Sequence, residues 1–165
     1  TRPTAKMIKA QILPTREFLG GLILDSSRIK AEIVGADERE QGLRMLLNFG
    51  HTFGHALEQA TRYRRYLHGE AVFMGMRMAA LLSSSLGLIK EDVVERITGL
   101  LSLFPLPRVK GLSTKKLSAA MGSDKKKRGG SIHYVVLERI GRAVIKTGIP
   151  DRLVRECIKS VIQEQ

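Results

Sequence analysis

Hydrophobic residues recur with helical spacing over most of the chain. Ile29, Ile33 and Val34 set among charged neighbours predict a helix within 26–40, ended by Gly35 followed by Asp37 and Glu38, with a turn near Gly42. Leu46 to Gln59 is again helical in pattern. From Gly69 to Leu86 apolar residues face almost every direction (Ala71, Val72, Met74, Met78, Ala79, Leu81, Leu82), which predicts a centrally buried helix. Val93, Ile97, Leu100, Leu101 and Phe104 form an amphipathic stripe that must stop at Pro105 and Pro107, and a short helix is expected over Ser113–Met121. The period then changes. Ile132, Tyr134 and Val136 alternate with His133, Val135 and Leu137, and the extended run Ala143–Thr147 follows Gly141, so a hairpin is expected. After Pro150, Leu153, Val154, Cys157, Ile158, Val161 and Ile162 predict a closing helix. The fold class is mainly α, a multi-helix domain with one small β-hairpin near the C-terminus, taken as a single domain over 1–165. The charged run Asp124–Arg128 before Gly129 and Gly130 reads as a mobile loop.

At 165 residues the chain can bury a core without staples, so a metal would be functional rather than structural. One cysteine, Cys157, permits no internal disulfide, and the longest uncharged stretch, Met78–Ile89, falls short of the roughly 20 residues a membrane helix needs. A soluble, cytoplasmic protein is expected, and a first residue that is Thr rather than Met suggests a processed product or a fragment. The net charge of +12, from 28 Lys and Arg against 16 Asp and Glu, favours an anionic partner. With no Trp and few aromatics to stack on bases, a small anionic substrate is preferred over nucleic acid, no membrane partner is expected, and a homodimer is left open.

His51 and His55 are four residues apart, so on a helix they lie on one face a turn apart. Gly50 and Gly54 beside them leave that surface without bulk, open to a substrate or to another helix. Spacing alone is equally compatible with two unrelated histidines on a packed helix. His68, just before Gly69 and Glu70 at the start of the buried helix, adds a third imidazole, and catalytic zinc sites use three His or carboxylate ligands with one open position. Thr52 follows His51, so the His-Glu-x-x-His signature of zinc peptidases is absent.

The strings Lys30-Ala-Glu-Ile-Val-Gly-Ala-Asp-Glu-Arg-Glu40, Leu43-Arg-Met-Leu-Leu-Asn-Phe-Gly-His-Thr-Phe-Gly-His-Ala-Leu-Glu58 and His68-Gly-Glu-Ala-Val72, continuing through Asp124-Lys-Lys126 and Ile140-Gly141, closely resemble the 3-dehydroquinate synthase family from about Ile29 onward. The resemblance implies the C-terminal metal- and substrate-binding domain of a zinc- and NAD-dependent lyase of the shikimate pathway. That lyase turns 3-deoxy-D-arabino-heptulosonate 7-phosphate into 3-dehydroquinate and phosphate. It implies His51 and His68 as ligands of Zn2+ or another divalent metal, Arg44 and Lys30 at the substrate carboxylate, Asn48 and His55 near the phosphate and the proton transfers, Lys125 or Lys126 closing over the substrate, and Glu40 as a further polar active-site residue.

In the family NAD is held by an N-terminal domain, whose sheet and glycine-rich loop are not found here, so NAD is not expected to bind this chain alone. The family's third metal ligand is a glutamate in an Ala-Glu-x-Ile-Lys segment, and the nearest counterpart is Ala5-Lys6-Met-Ile-Lys9. Lys6 stands where the ligand is expected, and an ammonium group cannot bind zinc. The isolated chain is therefore expected to be inactive. The rival readings are another sugar-phosphate cyclase, a metal-dependent polyol dehydrogenase domain, or a degenerate module kept for oligomerisation.

Overall fold

The computed structural model describes residues 15–39, 42–103, 111–127 and 130–163, and of residues 123–127 the backbone. Lys6, Glu40, Phe104, Pro105, Pro107 and Arg128 lie outside the described residues. The chain divides into two units, residues 1–47 and 48–165.

In the first unit α1 spans Arg16–Ala36. It begins ten residues before the apolar pattern predicts, because the Thr15 side chain caps it, accepting from the Phe18 N–H at 3.2 Å, and Glu17 sits in the first turn where the helix dipole favours a negative charge. Gly20 and Gly21 hide this start from a propensity reading. At the other end Asp37 stops the helix and its carboxylate accepts from the N–H groups of Gly42 (2.9 Å) and Arg44 (3.0 Å), which ties down the turn expected near Gly42. No residue of α1 is buried.

A 3-10 turn, Leu43–Asn48, leads into the second unit. There the elements are α2 (His51–Ala60), α3 (His68–Ser85), α4 (Glu91–Leu101), α5 (Thr114–Lys127), the strands β1 (Tyr134–Arg139) and β2 (Arg142–Lys146), and α6 (Asp151–Gln163). The helix predicted over Leu46–Gln59 is thus two pieces. Gly50 adopts a φ of +82°, a left-handed conformation that breaks the helical run and makes His51 the first residue of α2. The expected loop at Asp124–Arg128 is also corrected: the backbone stays helical through Lys127, since lysines are good helix formers and their charge complements a helix C-terminus.

As its pattern predicts, α3 is central. Ala71, Met74, Met78, Ala80 and Leu82 are fully buried, and it packs against α2, α4, α6 and β1. Its approach to α2 is set by glycines. A β-carbon on Gly75 would overlap the Gly50 carbonyl oxygen, and one on Gly54 would stand 3.2 Å from the Val72 Cα. Of the two neighbours expected beside Gly50 and Gly54, it is the helix that occupies the space.

The buried Ser83 hydroxyl joins α3 to the hairpin, donating to the Ala79 carbonyl (2.7 Å) and accepting from the Leu137 N–H (2.9 Å). The strands are antiparallel, with Val136 opposite Val144 and the turn at Ile140-Gly141, where Gly141 has a φ of +86°. Tyr134, Val135 and Val136 are all buried, so the expected in-out alternation is lost where the hairpin is covered on both faces. Val154, Cys157, Ile158 and Val161 of α6 close the core.

Candidate metal centre

Two helix starts bring three imidazoles together. His51 opens α2 because Gly50 interrupts the chain before it, and His55 follows one turn later. His68 opens α3 after the extended Leu67, whose N–H is held by the Glu70 carboxylate at 2.8 Å. The ring centroids lie 5.4 Å apart for His51 and His68, 5.6 Å for His51 and His55, and 5.9 Å for His55 and His68. The same stripe of α2 carries Glu58, three residues beyond His55 and seven beyond His51, so helical geometry delivers it to the same place. Glu58 is buried at 7% exposure and accepts from His68 Nδ1 at 3.1 Å.

The donor atoms of His55, Glu58 and His68 all lie within 4.8 Å of one another. His51 flanks them, with its Nδ1 3.4 Å from the Phe49 carbonyl oxygen. Its pKa is lowered, first by burial, with the Phe49 carbonyl opposing and the neighbouring His55 and His68 adding to the fall, while Glu58 opposes. The neutral imidazole is the form that binds metals. His55 and His68 are exposed on the open side and Glu58 is not, as in a centre with protein behind it and one face left for a ligand. Imidazole nitrogens with one carboxylate suit Zn2+ or a similar divalent ion. A cavity of about 410 Å³ opens over the group, lined by Thr52, His55, Glu58, Gln59, Tyr63 and His68 and backed by apolar residues of α5 and the segment before β1.

The other expected site residues lie elsewhere in the chain. Asn48 ends the 3-10 turn, half-buried. Lys30 is exposed on α1, and the Arg44 guanidinium donates to the Glu38 carbonyl oxygen at 3.1 Å, both within the first unit. Lys125 and Lys126 belong to the last turn of α5, where the backbone alone is described, and Glu40 lies outside the described residues. Glu58 is the residue that spacing and motif left unassigned. Its signal is its helical position relative to His51 and His55, which becomes readable once the two histidines are treated as a stripe rather than a pair.

Solved structures share this fold. The chain overlays with a TM-score of 0.79 on ValA, the 2-epi-5-epi-valiolone synthase of Streptomyces hygroscopicus subsp. jinggangensis 5008 solved with NAD+ and Zn2+ bound, at 24% identity over 98% of this chain and 44% of that one. A 2-deoxy-scyllo-inosose synthase complexed with carbaglucose-6-phosphate, NAD+ and Co2+ gives a TM-score of 0.61 at 22% identity, over 73% of this chain and 35% of that one. These likenesses show that the fold is shared with both structures.

Sequence comparison narrows the class. Residues 4–127 match the family described as 3-dehydroquinate synthase C-terminal, and the chain belongs to that family. It is 42% identical over 156 residues to 3-dehydroquinate synthase of Solibacter usitatus (strain Ellin6076), covering 93% of this chain and 44% of that protein. To the 3-dehydroquinate synthase of Dichelobacter nodosus (strain VCS1703A) it is 50% identical over 127 residues, covering 76% and 34%. The chain thus spans less than half the length of these relatives.

Proposed function

We propose that the chain is the metal- and substrate-holding part of a 3-dehydroquinate synthase, a carbon-oxygen lyase that forms 3-dehydroquinate and phosphate from 3-deoxy-D-arabino-heptulosonate 7-phosphate. The observation that carries this reading is the convergence of His51, His55 and His68 from two helix starts in a chain of this family. Residues 1–165 act in it as one functional part, and NAD enters from the family, with no residue of this chain assigned to it. Among the described residues no helix is long and apolar enough to cross a membrane, which accords with a role in the cytoplasm.

In this reading His51 and His68 would hold a divalent metal, which would supply Lewis-acid chemistry to the bound substrate. Arg44, as a planar fork, and Lys30, as a point charge, bind the substrate carboxylate. Asn48 and His55 serve the phosphate end, His55 with an exposed imidazole on the cavity wall where it can take or return a proton. Lys125 or Lys126 closes over the bound anion from the end of α5, and Glu40 adds a polar contact. Arg44 and Lys30 together favour a substrate bearing a carboxylate over the uncharged polyols of related enzymes.

The purified chain is expected to show no turnover. Joined to the N-terminal portion of the Solibacter usitatus relative, it is expected to form 3-dehydroquinate, and His55→Ala in that chimera should lower the rate by about 10²–10⁴-fold, the usual worth of a positioned proton-transfer group. A chimera that folds and binds NAD but forms no product would refute the reading.

A further inference from the structure

We infer that the carboxylate ligand of this chain's metal site is Glu58, supplied from within α2. The inference rests on the histidine cluster being a metal site, and it names the donor that completes it. Lys6, the residue that the family resemblance sets at the carboxylate position, carries an ammonium group that repels a cation. A carboxylate nevertheless stands at the cluster. Glu58 is buried at 7% exposure, its one side-chain hydrogen-bond partner among the described residues is His68, and no lysine or arginine among them pairs with it. A carboxylate so removed from water needs a positive partner, and three imidazoles with a divalent ion between them supply one.

Geometry points the same way. Donor atoms around a tetrahedral zinc ion stand roughly 3.3–3.4 Å apart, given bond lengths near 2.0–2.1 Å. Glu58 Oε1 lies 3.1 Å from His68 Nδ1, a hydrogen bond that two metal bonds can replace once Nδ1 has lost its proton, and a donor atom of His55 lies within 4.8 Å of both. The rival role for Glu58 is to orient His68 from outside the coordination sphere, and outer contacts of that kind are worth about 10–100-fold in metal affinity.

Cobalt separates the two roles. The purified chain titrated with Co2+ should develop the visible absorption of a four-coordinate ion. In Glu58→Gln, which keeps an acceptor for His68 but not the charge, that absorption should vanish and affinity should fall by more than about 100-fold. Glu58→Cys gives a positive readout that does not depend on interpreting a loss. A thiolate at position 58 bound to Co2+ should add an intense near-ultraviolet charge-transfer band absent from the unsubstituted chain. A Glu58→Gln protein that keeps the visible band with a smaller loss of affinity, or a folded Glu58→Cys protein without the new band, would overturn the inference. His51→Ala tests the pair His51 and His68 separately: unchanged Co2+ binding there would remove His51 from the metal and leave Glu58 in place. A chain that binds no Co2+ at all would overturn both.

Discussion

Single residues in this molecule are tuned chiefly by burial. Tyr134 packs its ring at a tilt against Phe53, centroids 5.7 Å apart, and is 6% exposed. Burial first, and the Asp151 carboxylate second, push its phenol from the usual 10 up to about 12. A group whose pKa is raised by folding contributes stability that is complete below the unfolded value and is lost as pH rises through the folded one, so Tyr134 should begin to destabilise the fold near pH 10 and finish near pH 12. Denaturant unfolding across that window should show the decline, and Tyr134→Phe, which has no proton to lose, should flatten it. A decline unchanged in the variant would show that other groups cause it. His51 is shifted the other way, toward the neutral ring, for the same first reason.

At the scale of elements, the two glycine contacts decide how α2 and α3 meet. Gly75→Ala would force a methyl group into the Gly50 carbonyl, and the helices cannot separate without carrying His51 and His68 apart. A loss of about 1–3 kcal/mol is expected from overpacking of this kind, and metal affinity should fall with it. Thermal unfolding and Co2+ titration of the variant would check both, and unchanged values would show that the contact relaxes freely. The legibility of the sequence follows the same physics. The central helix α3 was readable because nearly every face of it carries apolar residues, and α6 because Val154, Cys157, Ile158 and Val161 keep strict helical spacing. The break at Gly50 was not, because an apolar pattern runs across it and only the left-handed φ reveals the interruption. The early start of α1 was masked by Gly20 and Gly21, and the helical end of α5 by a charge run that reads equally well as loop. Within the site, the histidines were legible from motif and spacing. Glu58 was not, because a glutamate near the end of a helix carries no signal until its burial is known.

For the molecule as a whole, two features read from composition take on structural meaning. The charge of +12 is that of a chain whose proposed substrate is anionic, and such a field speeds the approach of that class of ligand. The other is the lone cysteine. Cys157 sits in the core on α6 at 3% exposure, 3.8 Å from the Ser85 hydroxyl, and burial raises the pKa of its thiol, so both access and thiolate are withheld in the folded state. Cys157 is therefore a built-in clock for opening of the second unit. Under native conditions a thiol reagent should label it at the rate at which α6 leaves the core, and in denaturant at the rate for a free thiol. If labelling in native buffer ran at the denatured rate, α6 would not be holding the core shut. A single reagent added to each variant and to the unsubstituted protein would then report how a substitution at the candidate metal centre, with Glu58→Gln the first to try, affects the integrity of the core beneath it.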